Sequence, residues 1–348
     1  TRTRPDFPRS ALVPRPGLFH HPTNSPSRRT MPSLAFEKCP LCGAMDPRPL
    51  HRFASPEGVA QSFAVVKCRA CRHVFTAPSP QPALLNSIYN SPEMVEMMEE
   101  DFQAAGPAIK GSERWKLVRE ARSGGVLLDY GCGRGAFLQH AKAHGFRGVG
   151  FEPSEAGQRA RQESRLDVHA TFQEALQAAG SADIVTLWDV LEHVPDPRAT
   201  LREIAAALEP GATLLLGVPN AQSIETLVYG PHWIGWWVPL HLNHFTAKSL
   251  SRLLCESRFE VRDVRCQQYH YNAAVSWQLL HGEDWTKRGV FTARPAWQTH
   301  LWRALGGSSP STRDRRRDRL TRLLDRLTQP RRRRQWRSYL YMLAEKKP

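Results

Sequence analysis

Short apolar runs alternate with segments of helical spacing through the middle of the chain. The apolar runs predict buried strands and cover residues 126–130, 148–152, 183–188 and 212–218. Between them, apolar residues recur every three or four positions, as in Phe137, Leu138 and Ala141. Two further runs, 259–266 and 338–346, predict strands near the end of the chain. The alternation predicts an α/β domain with helices on both faces of a mostly parallel sheet.

A glycine-rich turn follows the first predicted strand. Asp129 lies near the end of that strand, and Gly131, Gly133 and Gly135 follow at alternate positions. Glycine permits backbone angles closed to other residues and lets a ligand approach the main chain. The spacing differs from the G-x-G-x-x-G of dinucleotide enzymes, which favours a cofactor without a pyrophosphate. Glu152 ends the next strand 23 positions after Asp129, close to where such folds place a carboxylate on ribose hydroxyls.

Residues 126–268 resemble the class I S-adenosylmethionine-dependent methyltransferases. The resemblance is carried, in this order, by LLDYGCGRG, VGFEPS, DIVTLWDVLEHVPDP, LEPGATLLLGVPN and HLNHFTAKSLSRLL. It implies a Rossmann-like, seven-stranded sheet whose last strand is antiparallel. It also implies S-adenosylmethionine at the carboxyl ends of the first strands, in agreement with the general rule for open α/β sheets.

The resemblance assigns cofactor contacts residue by residue. The expected contacts are Asp129, Gly131, Gly133, Gly135, Glu152, Phe172, Trp188 and Asp189. The glycines are expected at the methionine end of the cofactor, Asp129 near its amino group and Glu152 on the ribose. A helix N-terminal acid is the alternative interpretation of Glu152. Phe172 stands where many relatives have an acid and is expected to stack on adenine.

Three histidines are candidates for proton transfer or acceptor binding: His193, His241 and His244. Methyl transfer from a sulfonium is a direct displacement, so the protein aligns the reactants and supplies a base where the acceptor loses a proton. A buried structural histidine is the alternative at each position. His193 also follows Asp189 and Glu192 in the acidic pattern of ubiquinone-type O-methyltransferases, so a divalent cation held through water is a further alternative. Thr246 is expected to cap a helix over 247–255.

Two C-x-x-C pairs precede the α/β pattern. Cys39, Cys42, Cys68 and Cys71 have the spacing of a zinc ribbon, and four thiolates make a closed, structural site. The alternative is two disulfides in a secreted protein. The other three cysteines, Cys132, Cys255 and Cys266, have no such pairing and disfavour that alternative. Some sugar C-methyltransferases resemble this arrangement of ribbon and catalytic domain.

The positive charge of the chain lies at its ends. Of the net charge of +15 over 348 residues, residues 1–30 carry +5 and residues 302–348 carry +11. The remainder is close to neutral, which disfavours a nucleic-acid groove across the catalytic body. Leu320, Leu323, Leu324 and Leu327 repeat at helical spacing opposite arginines. Segment 311–334 is therefore expected to bind an anionic membrane surface or partner. The alternative is a leucine face packed on the catalytic domain.

The predicted organisation has six parts. Residues 1–30 are disordered or precede a true start at Met31, with a transit peptide as the alternative. The others are a zinc ribbon (37–77), linker and lid helices (78–122), a methyltransferase domain (123–268), a basic helical insertion (269–336) and the final strand (337–348). No apolar run approaches a membrane span, and a cytoplasmic protein, at most peripheral to the inner membrane, is expected.

The expected function is methyl transfer to a small molecule or glycoconjugate, such as a sugar, a nucleotide-sugar or a lipid-linked intermediate. The aromatic segment 229–237 is expected to wall the acceptor pocket, or else to pack as a lid on its own core. Three alternatives remain open: ubiquinone-type O-methylation, RNA or protein methylation, and a non-catalytic scaffold.

Overall fold

The computed structural model describes residues 38–53, 61–92, 94–95, 109–268, 276, 279–280, 323 and 335–348. Segment 1–30 lies outside these residues, and so, apart from single positions, does the basic insertion with its leucine repeat. The predictions made for those segments stay predictions. No helix within the described ranges combines the length and the apolar character needed to cross a bilayer.

The described strands form two sheets. They are β1 Pro47–Phe53, β2 Phe63–Cys68, β3 Val74–Ala77, β4 Gly125–Tyr130, β5 Phe146–Phe151, β6 Val168–His169, β7 Ile184–Trp188, β8 Thr213–Pro219, β9 Asn243–His244, β10 Phe259–Gln267 and β11 Tyr339–Lys346. The larger sheet has seven strands in the order β10-β11-β8-β7-β4-β5-β6. Strands β4 to β8 pair in parallel, and β11 runs antiparallel between β8 and β10. The predicted seven-stranded sheet with an antiparallel last strand is confirmed.

Helices cover both faces of this sheet. They are α1 Pro82–Tyr89, α2 Glu113–Ala121, α3 Ala136–Ala143, α4 Glu155–Ser164, α5 Phe172–Ala179, α6 Pro197–Ala207, α7 Ile224–Tyr229 and α8 Ala247–Glu256. Successive strand residues point to opposite faces. Leu128 and Leu214 therefore join the apolar cluster under α5, α6 and α8. Leu127 and Leu215 join the cluster under α2 and α3. Burial on both faces explains why these strands are continuous apolar runs.

The helix after β9 begins as its sequence predicts. The Thr246 hydroxyl accepts a hydrogen bond from the backbone amide of Ser249 (3.1 Å), which satisfies one of the free amides of the first turn. The helix buries Leu250, Leu253 and Leu254 on one face. The predicted cap and helix are confirmed.

The smaller sheet belongs to residues 38–53 and 61–77, which we call the ribbon. Its strands β1, β2 and β3 are antiparallel, and β9 from the second half of the chain adds a fourth strand at the β3 edge. Side chains of the aromatic segment pack on it: Trp233 and Trp236 are buried in one apolar cluster with Phe63 and Val74. Trp233 and Trp236 thus fasten the ribbon to the larger domain, as expected of a packed lid, whereas Trp237 meets the rings of His193 and His241 edge to face.

Candidate active site

The glycine turn joins β4 to α3 and bonds to the end of β5. The amides of Gly131 and Cys132 both donate to the carbonyl of Phe151 (2.8 and 3.1 Å). Gly131 has φ 76°, and a Cβ there would lie 2.5 Å from Val190 Cγ2, so only glycine fits. At Gly133 (φ 53°), a Cβ would meet no atom within 4 Å. The loop 131–135, which we call the glycine loop, therefore faces open space at its centre.

Glu152 lies directly against the glycine loop. Its Oε2 accepts from the amide of Gly133 (3.0 Å) and its Oε1 from the amide of Ser154 (3.0 Å). The carboxylate thus stands at the carboxyl end of β5, beside the open side of the loop. We call the space bounded by the glycine loop, Glu152 and the loop 189–194 the crevice.

Asp129 is buried beneath the glycine loop. It is 3% exposed and accepts a hydrogen bond from the Thr186 hydroxyl (2.6 Å). Burial raises its pKa to about 7, while the Thr186 hydrogen bond lowers the pKa in part. The carboxyl therefore changes charge near neutral pH, and a cation beside it would favour the ionised form.

Arg114 reaches the crevice from α2, and the sequence analysis did not identify it. Its guanidinium pairs with Asp189 and lies over the Trp188 ring, 5.6 Å from the ring centroid. Tyr339 of β11 donates its hydroxyl proton to Asp189 and is 3.3 Å from the guanidinium. The sequence could not identify this role of Arg114, because its partner Tyr339 lies 225 positions away along the chain.

Glu192, His193 and His241 converge at the other end of the crevice. One potential ligand atom from each of the three lies within 4.8 Å of the other two. The Glu192 side chain is 1% exposed, and neither carboxylate oxygen has a hydrogen-bond partner. Burial, together with the charge of Asp189, raises the pKa of Glu192 well above its usual value. This carboxyl therefore requires a proton or a cation.

The two histidines of this cluster are oriented by main-chain carbonyls. Nδ1 of His241 donates to the carbonyl of Gly235 (2.9 Å), and Nδ1 of His193 lies 3.1 Å from the carbonyl of Leu240. Their ring centroids are 4.6 Å apart. Burial lowers the pKa of His193 to about 4 and that of His241 to about 3. Both rings are therefore neutral at pH 7.

Tyr89 contacts His193 from across the crevice. Its hydroxyl lies 2.8 Å from His193 Nδ1, and the two rings meet edge to face. The same tyrosine lines a cavity with Arg134 and Ser154, and the amide of Ser154 donates to Glu152. Tyr89 ends α1 and thus brings the predicted lid segment 78–122 to the crevice; its contact with His193 could not be predicted because the two residues lie 104 positions apart.

The remaining candidates lie away from this cluster. His244 is buried in β9 with Nε2 3.1 Å from the Thr76 hydroxyl, so its ring faces the ribbon rather than the crevice. Phe172 is 5% exposed and packs in the core against Tyr130 and Phe151. Trp188 lies at the base of the crevice, and its buried Nε1 has no hydrogen-bond partner.

The four cysteines of the ribbon form one cluster. The sulfur atoms of Cys39, Cys42, Cys68 and Cys71 all lie within 4.8 Å of one another. Cys39 Sγ is 3.5 Å from Cys71 Sγ, and Cys42 Sγ is 3.6 Å from Cys68 Sγ. Tetrahedral zinc with bonds of about 2.3 Å places its sulfurs about 3.8 Å apart, so the residues fit this ion. The described cysteines form no disulfide.

Both cysteine turns have the same backbone form. The residue after each pair, Gly43 or Arg72, has positive φ (74° and 68°). Its amide donates to the carbonyl of the first cysteine of the pair, Cys39 or Cys68 (2.8 and 3.1 Å). Glycine adopts such an angle without strain, which suits Gly43 to its position after the first pair. Two equivalent turns direct their thiols to one point, as a structural metal site requires.

Comparison with known proteins agrees with this geometry. Residues 108–264 match the family model described as methyltransferase domain. The chain is 33% identical over 132 residues to the ubiquinone biosynthesis O-methyltransferases of Escherichia fergusonii and Escherichia coli O139:H28. These alignments cover 34% of this chain and 55% of each relative. The chain thus spans about half the length of the curated relatives it matches.

Two solved structures have weaker likeness. A SAM dependent methyltransferase from Archaeoglobus fulgidus is 18% identical, with a TM-score of 0.39, over 77% of this chain and 100% of that one. An S-adenosylmethionine dependent methyltransferase from Mesorhizobium loti is also 18% identical, with a TM-score of 0.39, over 68% and 100%. At these scores neither likeness bears on function.

The sheet order, the glycine loop and the family match all indicate the same class of protein domain. Residues 108–264 form a class I methyltransferase domain of the S-adenosylmethionine-dependent type. A cluster of four cysteines precedes it in the chain.

Proposed function

We propose that this protein transfers the methyl group of S-adenosylmethionine to a small-molecule or glycoconjugate acceptor. One observation carries the proposal: Tyr89 contacts His193 and also lines a cavity with Arg134 of the glycine loop, which brings the candidate base to the side of the loop that holds Glu152. The glycine loop and Glu152 suit the cofactor, and His193 suits an acceptor that loses a proton. Catalysis here requires that the two reactants be aligned in one enclosed space.

The crevice contains suitable partners for each part of the cofactor. The open cradle at Gly133 suits close approach of a ligand to the main chain, and Glu152 suits ribose hydroxyls. Asp129, with a pKa of about 7, suits an ammonium group. Arg114 brings a guanidinium that suits a carboxylate. When bound, S-adenosylmethionine supplies an electrophilic methyl group on a sulfonium.

His193 serves as the base in this proposal. A carbonyl oxygen only accepts, so the contact with Leu240 places the imidazole proton on Nδ1. Nε2 is then free to take a proton from the acceptor. The Tyr89 hydroxyl, 2.8 Å from Nδ1, steadies the ring and has a proton of its own to donate to the acceptor. We assign the two residues as base and acceptor contact.

A small acceptor is favoured by the position of α1. Because Tyr89 spans the crevice to reach His193, the space left for an acceptor is partly covered. A sugar, a nucleotide-sugar or the head of a lipid-linked intermediate suits such a space better than a folded RNA or protein. Hydroxyl groups on these molecules lose a proton on methylation, which gives His193 its role.

Ubiquinone-type O-methylation is a second candidate, favoured by the 33% identity to ubiquinone biosynthesis O-methyltransferases. The acidic pattern at 189–193 does not converge as one group. Asp189 is engaged by Arg114 and Tyr339, whereas His241 completes the cluster with Glu192 and His193. A phenolic acceptor would present the same kind of hydroxyl to His193 as a sugar does.

For the ribbon we propose a structural zinc ion held by Cys39, Cys42, Cys68 and Cys71. The convergence of four sulfurs from two equivalent turns supports this assignment. Four protein ligands leave no open position, so the ion would hold the ribbon together and take no part in methyl transfer.

Calorimetric titration and a labelled-donor assay test the proposed function. We expect S-adenosylhomocysteine to bind the full, zinc-loaded chain at one site, and Glu152→Gln to weaken that binding by about tenfold or more. Glu209→Gln, an exposed change just after α6, is the matched control and should bind normally. Methyl transfer to nucleotide-sugars, lipid-linked sugars and phenols is then compared. Binding without transfer to any member of a broad panel, RNA and protein included, would favour a scaffold.

A further inference from the structure

The ribbon and the crevice are joined through a short segment of main chain. Strand β9 pairs with β3, with His244 opposite Val74 and Asn243 opposite Phe75. Just before β9, the carbonyl of Leu242 accepts from the amide of Thr76 (2.9 Å). One edge of segment 242–244 therefore belongs to the ribbon sheet.

The same segment holds the loop that carries His193. The amides of Leu242 and Asn243 both donate to the carbonyl of Glu192 (2.7 and 3.0 Å). The side-chain amide of Asn243 donates to the carbonyl of Val194 (2.8 Å). The carbonyls on either side of His193 are thus fixed by one asparagine and its neighbour, which sets where the imidazole stands in the crevice.

Asn243 also bonds to the ribbon through its side chain. Its Oδ1 accepts from Nε2 of His73 (3.1 Å), and the two residues are 1% and 0% exposed. The His73 carbonyl in turn accepts from the amide of Cys68 (2.8 Å), which closes the second cysteine turn. A continuous path of hydrogen bonds therefore runs from the cysteine cluster through His73 and Asn243 to the loop of His193.

We propose that Asn243 is a positioning residue for methyl transfer, which couples the cysteine turn of the ribbon to the placement of His193. The buried side-chain amide of Asn243 donates to the loop and accepts from the ribbon at the same time. A displacement of the ribbon would therefore strain or break the hydrogen bond to the loop. The inference rests on the proposed function in one respect, namely that His193 takes the proton. The mechanical coupling itself does not depend on the identity of the acceptor.

Hydrogen exchange on the full, zinc-loaded chain tests the coupling without an acceptor. We expect Asn243→Ala to speed exchange of the amides of 190–194 by about tenfold or more, because the loop loses the side-chain hydrogen bond to its Val194 carbonyl and opens more often. Exchange in β4 and β7 should stay within about twofold. His73→Ala should reproduce the effect, and His73→Gln, which keeps an N–H donor, should restore part of the protection.

Kinetics distinguish positioning from general destabilisation. In Asn243→Ala and His73→Ala we expect kcat to fall about tenfold or more, with the Kd of S-adenosylhomocysteine unchanged within about twofold. Ser249→Ala removes the hydroxyl that accepts from the Thr246 amide (2.9 Å) at the start of the next helix, leaves the Glu192 and Val194 contacts in place, and should leave kcat unchanged. In His73→Gln we expect kcat to recover in part, in parallel with the protection of the amides of 190–194 from exchange.

Two results would overturn the proposal. One is unchanged exchange at 190–194 in Asn243→Ala and His73→Ala; the other is faster exchange with an unchanged kcat. If the wild-type chain failed to bind S-adenosylhomocysteine, the proposed function would fail, while the exchange measurement would still decide whether Asn243 couples the ribbon to the loop.

Discussion

The Tyr89 hydroxyl lies 2.8 Å from Nδ1 of His193, and the same tyrosine lines a cavity with Arg134 of the glycine loop. The tyrosine ends a helix that follows the ribbon, whereas the histidine follows the strand β7 of the large sheet. The candidate base is therefore held by parts of the chain that precede and form the methyltransferase domain. The helix that follows the ribbon is therefore part of the candidate site.

Tyr89→Phe deletes only the hydroxyl oxygen and so removes the hydrogen bond between Tyr89 and His193. We expect Tyr89→Phe to lower kcat by about fivefold to tenfold, since a hydrogen bond of this kind contributes about 1 kcal/mol. Cofactor binding should be unchanged by calorimetry. Tyr229→Phe removes a buried hydroxyl on the ribbon side of the domain and serves as the control. Equal rates for Tyr89→Phe and wild type would remove the tyrosine from the mechanism.

Two of the candidate histidines, His193 and His244, should differ in the effect of their removal. His193→Ala removes the base and should reduce turnover by about 100-fold or more, with folding intact. His244→Ala empties a buried position beside Thr76. It should cost about 2 kcal/mol in the free energy of unfolding while the folded enzyme keeps most of its kcat. Denaturant unfolding and initial rates on both variants check this, and a near-normal kcat in His193→Ala would contradict the assignment.

The pH dependence of cofactor binding follows from Asp129. Burial raises the pKa of Asp129 to about 7, so the carboxyl becomes increasingly protonated as the pH falls below that value. A bound ammonium group favours the carboxylate, so the affinity for S-adenosylhomocysteine should rise by about tenfold from pH 6 to pH 8. In Asp129→Asn this dependence should disappear. The same slope in the variant would show that another group is responsible.

Removal of one cysteine ligand should release the metal and loosen the ribbon. We expect Cys39→Ser to lose bound zinc and to lower the thermal midpoint of the chain, because metal binding contributes to the stability of such modules. Elemental analysis and a thermal scan measure both quantities. Cys255→Ser, an exposed position outside the cluster, is the control and should retain zinc. A zinc-loaded Cys39→Ser protein would contradict the assignment.

Local patterns in the sequence were sufficient for the sheet, the glycine loop and the cysteine turns. The strands are apolar runs because both faces are buried, and the turn glycines are required by backbone angles such as the φ of 76° at Gly131. The cap at Thr246 depends on residues three positions apart. Each of these features is encoded within a short stretch of chain, and the sequence therefore predicts it.

The parts of the site that depend on distant pairing could not be predicted. His241 and His244 are candidates of equal standing in the sequence, and the pairing of β9 with β3 turns His244 to the ribbon. Arg114 enters the crevice through α2 and is held by Tyr339 at the far end of the chain. Tyr89 reaches His193 from the end of α1, 104 positions earlier in the chain. No local pattern records which strand edge or helix will lie beside another.

Binding of S-adenosylmethionine in the crevice beside Glu152 underlies every step proposed above, and calorimetric titration of the zinc-loaded full chain measures it. We expect saturable one-to-one binding of both S-adenosylmethionine and S-adenosylhomocysteine, with dissociation constants on the order of micromolar, and weaker binding in Glu152→Gln. If the folded, zinc-loaded chain binds neither compound, the proposed cofactor site is wrong.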